Sequence, residues 1–435
     1  MKYIVSSFLI FTLLSCGTDY YYSSFYVRKD LKWPLSPSAQ ADLDKYAQVA
    51  GNYSYQYSSP SVIATPSNYI LVIYEYRNDD NSSIYGVDGQ KTVNVFSATS
   101  LDAEYFNTAD KTVGKIAYNR VDSHGSPIAF VNKDGNPVVL AVGGIGFGQG
   151  TKDQVSKISV TISSNNGNSW TDWKDVDTNI FKPLLDEGYN RFYTTSGNGV
   201  TLRNGTLVGM IDFKKYTAAG YNPEGAAIIY SKNNGADWEL GSIMKYEGNA
   251  ANKRWAKVLL EKDNGSLLIC AVQNTTDYRT RGKLYFATAD TLNSEIKEVQ
   301  GVTGLPENSG GSVGGAKINY AYDNLSRSGF ILLHSVPSRV YTNANGGTTD
   351  IDNATAISIS EDGVNWKLIT NIVGKINNEF TSFRQSLTVF KDGTIATAIE
   401  QGYAQNITPN RNFLISYRRL SLEYLSSGTY KYEGL

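Results

Sequence analysis

Cysteine is nearly absent: there are two in 435 residues, so at most one disulfide is possible. Cys16 ends an apolar leader, and Cys270 sits in Leu267-Leu268-Ile269-Cys270-Ala271-Val272, the setting of a buried, inert thiol. A framework of bridges is therefore excluded. Histidine is equally scarce. His124 and His334 stand far apart with no cluster of Cys or His near either, so no metal site and no cofactor are expected. The glycine-rich run from Gly143 to Gly150 lacks the spacing and the following helix of a phosphate cradle, and reads as a flexible rim loop. Charge of one sign is lacking too: 40 basic residues face 41 acidic ones, which argues against nucleic acid. Long hydrophobic runs are confined to Tyr3–Leu14, too short to span a bilayer.

That run has the form of a signal peptide, with Lys2 before it and Leu13-Leu14-Ser15-Cys16 at its end. These four residues resemble a bacterial lipobox. The resemblance implies removal of residues 1–15, lipid on Cys16, and a protein of the bacterial cell envelope, surface-exposed or periplasmic, held to the membrane by that lipid only. A plain secretory signal is the alternative. Residues 16–45 are polar, rich in Tyr and Ser, and contain Pro34 and Pro37, as a tether would; a short helix is expected near Ser38 to Gln48. Residues 46–435 remain for the folded domain.

What the chain has in abundance is glycine and tyrosine, 40 and 31 residues, which suits a β protein with many turns. Some of the tyrosines are candidate sugar-stacking platforms, although strand residues account for them equally. One phrase recurs: an apolar run, a turn, then Trp. It reads AAIIYSKNNGADW at Ala226–Trp238, ISVTISSNNGNSW at Ile158–Trp170, and AISISEDGVNW at Ala356–Trp366. Asn and Gly in the turn tolerate left-handed backbone, and Trp anchors it by burial. The tryptophans are 68 and 128 residues apart, about one and two steps of a repeat near 65.

A second series of turns falls at Asn68, Gly135, Gly205, Gly265, Gly329 and Gly393, each between two apolar runs. Six units of four strands follow. In the second unit they are Pro127–Val131, Pro137–Val142, Lys157–Ile162 and Trp170 onward. The sixth ends with Phe413–Tyr417 and a strand near Leu420–Tyr424. Tandem antiparallel units of this size bury both faces by stacking radially, so the expected fold is all-β, a six-bladed β-propeller; a β-helix has far shorter repeats. Alternation of strand direction puts both series of turns on one face. The starts of the first strands, the ends of the second strands and the longest loops share the other, where binding residues belong.

Ser163-x-Asn165-x-Gly167-x-Ser169-Trp170 and Ser231-x-Asn233-x-Gly235-x-Asp237-Trp238 resemble the Asp-box, or bacterial neuraminidase repeat, and Ser360–Trp366 is similar to a shorter form of it. With six units and a lipoprotein leader, the chain is similar to bacterial sialidases over roughly Tyr53 to Leu425. The resemblance implies structural boxes and a site for sialic acid or a related acidic glycan. Family members hold the sugar carboxylate with three arginines, attack with a Tyr that a Glu activates, and use an Asp as acid/base. Carried over, Glu75-Tyr76-Arg77 matches a Glu-x-Arg, Asp79 and Asp80 stand in the acid/base loop, and Glu400 closes a late strand as expected. The rest departs. The Arg-Ile-Pro place reads Ser58-Ser59-Pro60; the activating Glu is replaced within Arg254-Trp255-Ala256; two arginine places hold Gln273 and Asp352 or Asn353; the tyrosine place holds Arg384.

Asp79, Asp80 and Glu400 are thus the candidate catalytic residues, and Arg77, Arg254 and Arg384 the candidate substrate-binding ones. The three arginines fall on the loop-bearing face, where they form a relocated anion clamp, a different sugar site, or rim charges in water. Three functions stay open: an exo-α-sialidase-type hydrolase, a glycan-binding propeller without hydrolysis, and a surface adhesin for protein.

Overall fold

The computed structural model describes residues 47–50, 56–67, 69–77, 92–101, 106–119, 121–148, 150–217, 222–246, 253–273, 283–306, 312–342, 348–373, 380–390, 393–403 and 413–434. They form six antiparallel sheets arranged as the blades of a propeller. Blade 1 is Gln56–Ala64, Ile70–Arg77, Val93–Ser100 and Asn107–Thr112. Blade 2 is His124–Val131, Pro137–Gly143, Lys157–Ile162 and Lys174–Asp175. Blade 3 is Tyr189–Thr194, Leu207–Lys215, Gly225–Ser231 and Glu239–Lys245, and blade 4 is Lys253–Glu261, Leu267–Gln273, Lys283–Ala289 and Lys297–Glu298. Blade 5 is Gly314–Tyr322, Leu325–Thr342, Thr348–Ser360 and Lys367–Val373.

Blade 6 departs from the sequence reading. Its C-terminal strands are Phe380–Val389, Ile395–Tyr403 and Phe413–Leu420, but its fourth strand is Ala47–Ala50, from the other end of the chain. The ring is closed by the N-terminal segment. The expected strand near Leu420–Tyr424 is instead one helical turn, Leu422–Leu425, capped by Ser421, whose Oγ accepts the Tyr424 N–H at 3.1 Å. Strand Lys431–Gly434 then folds back alongside Gly314–Tyr322 of blade 5. Of the helix expected near Ser38 to Gln48, residues 47 and 48 lie in the strand Ala47–Ala50 and the rest falls outside the described residues. The blade 5 hairpin turn is also displaced: it is Asp323-Asn324, both left-handed, and Gly329 lies within the second strand. Asp and Asn both reach that conformation at low cost, so this two-residue turn needs no glycine.

The apolar runs that mark the second strands are continuous because each is covered on both sides by neighbouring blades. Ile70–Tyr74, Val138–Val142 and Leu267–Val272 are buried without interruption. One core cluster joins Val138, Leu140 and Val142 of blade 2 to Leu207, Ile211 and Ile229 of blade 3.

The Asp-boxes join blades on the face opposite the long loops. In each, a serine hydroxyl accepts the N–H of the turn glycine: Ser163 from Gly167 at 2.8 Å, Ser231 from Gly235 at 2.9 Å, Ser360 from Gly363 at 2.9 Å. Trp238 and Trp366 are buried and donate Nε1–H to the carbonyls of Gly235 and Gly363. Trp170 is only half-buried. The box glycines press on the preceding blade, and the tightest is Gly167 (φ +81), where a Cβ would stand 2.2 Å from Leu71 Cδ2. Gly265 (φ +85) has the same backbone but open space around it. Gly265→Ala should therefore cost only the backbone term, about 1–2 kcal/mol. Gly167→Ala should add an overpacking cost of about 1–3 kcal/mol, and urea unfolding of the two variants reads the difference.

Candidate functional site

The site is built from an irregularity in the innermost strands. Register shifts fall at Ser58/Ser61 in blade 1, Gly125/Ile128 in blade 2, Arg254/Lys257 in blade 4 and Ser382/Gln385 in blade 6. At three of these bulges one residue is left-handed: Ser59, Ser126 and Trp255, with φ of 55°, 53° and 54°. A bulge takes an N–H out of the ladder, and a buried N–H must find another acceptor.

The acceptors are carboxylates of the adjacent blade. Glu400 Oε2 accepts from Ser59 N at 3.1 Å, Glu75 Oε2 from Ser126 N at 3.0 Å, and Asp212 Oδ2 from Trp255 N at 2.9 Å. All three acids occupy the same place in their second strands, five residues after Ile395, Ile70 and Leu207. They were not recognised as a set in the sequence, although their constant offset from the hairpin turns was the available signal.

Buried carboxylates need cations. Arg77 Nε pairs with Glu75 Oε1 at 2.5 Å, and Arg384 Nη1 pairs with Glu400 Oε2 at 3.1 Å, with all four side chains buried. Ser58 Oγ donates to Glu400 Oε2 at 2.8 Å and itself accepts from Arg384 Nη1. Burial works against a charged Glu75, but Arg77, then Arg384 and the hydrogen bonds, hold its carboxyl below the usual range. Burial likewise opposes a charged Arg77, yet Glu75 raises it overall, with Glu400 contributing. Arg77 and Arg384 are thus coupled through each other's glutamate, as neighbours across the junction of blades 6 and 1.

Arg254 joins them through an aromatic ring. Its Cζ lies 4.0 Å from the centroid of Trp255, and Arg384 Cζ lies 5.7 Å from the same ring. Lys257 is buried, donates to Ser312 Oγ at 3.0 Å and Val313 O at 3.1 Å, and is pushed down to about 7 by burial and then by Arg384. Beneath this ring of charge the axis is closed. Asn198 Oδ1 accepts from Val62 N and Ser386 Oγ, while its Nδ2 donates to Val62 O and Leu387 O.

The structure therefore brings Arg77, Arg254, Arg384 and Glu400 together at the mouth of the axis. Arg77 and Arg384 are buried, so they are not rim charges in water. Asp79, Asp80 and Cys16 lie outside the described residues. Sequence reasoning missed Asp212, Trp255 and Lys257 as members of the site. Within the glycine-rich run, Phe147 is fully buried and Gly146 O accepts from Ser156 Oγ at 2.5 Å. His334 is buried against Ser358 Oγ at 2.8 Å and His124 is stacked on Trp173; burial pushes both down to about 4. Among the described residues no group of three His, Cys, Asp or Glu is placed to hold a metal.

Comparison with known proteins fits this architecture. The sequence pattern of the BNR repeat-like domain matches residues 60–322, more than half of the chain. Curated protein sequences give no match. Among solved structures, the Hadza microbial sialidase Hz136 superposes with a TM-score of 0.61 at 20% identity, over 87% of this chain and 68% of that one. The NanB sialidase from Streptococcus pneumoniae gives 0.61 at 12%, over 87% and 71%. The Trypanosoma rangeli sialidase in complex with sialic acid gives 0.59 at 14%, over 86% of this chain but only 56% of that one. At such identities the likeness is one of fold. The chain belongs to the BNR repeat-like domain family, and its fold is the six-bladed sialidase-like propeller.

Proposed function

We propose that the chain is a lipid-anchored envelope protein that binds sialic acid or a related acidic glycan at the mouth of its axis, without hydrolysis by a tyrosyl nucleophile. The observation that carries the reading is the convergence of Arg254 and Arg384 on Trp255, with Arg77 coupled to Arg384 through Glu75 and Glu400. Together with Lys257 they set four cationic groups against Glu75, Asp212 and Glu400. A planar guanidinium fork suits a sugar carboxylate, and a structure of the same fold carries sialic acid. The place that the resemblance assigns to the nucleophile holds Arg384, engaged with Ser58 and Glu400.

Hydrolysis is the second reading. It is favoured by Asp79 and Asp80, which follow Arg77 and Asn78 in the sequence, in the loop that the resemblance assigns to the acid/base. The lipid anchor rests on the leader ending at Cys16.

Calorimetry with 3′-sialyllactose and with lactose tests the binding. Sialyllactose should bind and lactose should not; equal binding of both refutes an anion-reading site. Arg254→Ala removes a half-buried member of the cluster. It should weaken sialyllactose about tenfold, given about 1.5–3 kcal/mol for a charge-assisted contact and 1.4 kcal/mol per decade. Release of the fluorophore from a 4-methylumbelliferyl sialoside would establish the hydrolase reading instead. Cys16→Ala should free the protein from membrane fractions, and retention there would show that the anchor lies elsewhere.

A further inference from the structure

Nine non-glycine residues among those described have left-handed backbone, and eight are Ser, Asn or Asp. The ninth is Trp255. A bulky residue in that region is an outlier that its surroundings must enforce. The enforcing group is Asp212, buried at the end of the second strand of blade 3, whose Oδ2 accepts the Trp255 N–H at 2.9 Å. The backbone so fixed aims an indole whose ring carries Arg254 at 4.0 Å and Arg384 at 5.7 Å. Arg254 in turn acts on the Asp212 carboxyl.

The geometry points to Asp212 as the positioning residue of the site. Through the Trp255 N–H it sets the indole on which two guanidinium groups rest, and its own charge sets how much of the Arg254 field is left for an anion. The first half stands on geometry alone. The second rests on the acidic-glycan reading proposed above.

The groups around Asp212 are Tyr246, which follows the outer strand of its own blade; its register partner Tyr193; Lys214 two residues along; and Arg254 and Lys257 on the first strand of blade 4. Its partner on the other neighbouring strand is the uncharged Ala226. Burial pushes Asp212 up to about 7, against the pull of the Trp255 and Ala256 N–H groups, Arg254 and Tyr246. Below that pH the carboxyl is neutral and offsets none of the Arg254 charge. Above it the carboxylate cancels part of the Arg254 charge. Affinity for an anion therefore falls as pH rises through about 7. Stability falls over the interval between the unfolded value and 7, because there the folded state binds the extra proton.

Two measurements decide the matter. The first uses no ligand: tryptophan fluorescence is titrated from pH 5 to 9. The wild-type protein should show a transition near 7 that is absent from both Asp212→Asn and Trp255→Phe. No transition in the wild type, or one that survives in either variant, overturns the charge role; the positioning role is overturned if Asp212→Ala, which removes the acceptor, leaves the tryptophan emission at pH 6 unchanged. The second is the affinity for 3′-sialyllactose at pH 6 and pH 8. The wild type should weaken about tenfold, the effect of one partly screened charge nearby. Asp212→Asn keeps an acceptor for the Trp255 N–H without the charge, so it should bind as the wild type does at pH 6 and change less than about threefold. Asp212→Ala removes the acceptor and should bind at least about tenfold more weakly at both values. A tenfold pH effect that persists in Asp212→Asn overturns the charge role, because Lys257 then carries the titration. If wild-type protein binds no sialoside at any pH, the acidic-glycan reading fails, and the emission of Asp212→Ala still decides the positioning role.

Discussion

The structure depends on a hydrogen bond made three times: a carboxylate at the end of a second strand accepts the backbone N–H of a left-handed residue in the next blade. Glu400 does so for Ser59, Glu75 for Ser126 and Asp212 for Trp255. Each bond crosses a blade junction at the innermost strand, where the ring is narrowest. A bulge there turns side chains toward the axis, but it strands an N–H that water does not reach. An ionised acceptor is the strongest remedy, since hydrogen bonds to charged groups exceed neutral ones.

The remedy brings a charge into the interior, and the rest of the site follows from that. Glu75 and Glu400 are each matched by an arginine, and the desolvation of both partners is offset by short, multiple contacts. Asp212 has Arg254 within electrostatic reach, but burial dominates and lifts its carboxyl to about 7. The three junctions therefore share one device with two outcomes: two fixed ion pairs, and one carboxyl whose charge depends on pH. Arginine suits this double duty because its planar fork has donors to spare after one carboxylate is satisfied.

Features of the fold that are local in sequence were legible there. The boxes at Ser163–Trp170 and Ser231–Trp238 declare themselves because turn chemistry lies within a few residues of itself, and their period carries the blade count. What failed was non-local or degenerate. Ala47–Ala50 is four residues long and is a strand only because Phe413–Leu420, at the other end of the chain, offers it an edge. Leu422–Leu425 is apolar enough to pass for a strand, and its capping serine was the overlooked signal. Arg327-Ser328-Gly329 looked like the other hairpin turns, while Asp323-Asn324 made the turn without glycine. In the candidate site, Arg77, Arg254, Arg384 and Glu400 were named from the sialidase resemblance and their places at strand ends. The link from Asp212 to Trp255 was not, because nothing in a sequence marks which backbone N–H a bulge will strand.

The contact between Ser58 and Arg384 joins two places where the sequence departs from the sialidase resemblance. The resemblance expects a cation at position 58 and a tyrosine at position 384; this chain has a serine and an arginine there, and they touch. Glu400 is buried and bound to the Ser59 N–H, so its charge must be neutralised within the fold. Arg384 neutralises it from blade 6, and Ser58 completes the corner by donating to the carboxylate and accepting from the guanidinium. The two positions are then a single electrostatic unit. A tyrosine at 384 would leave Glu400 without its nearest cation, with Arg77 the remaining one acting on it.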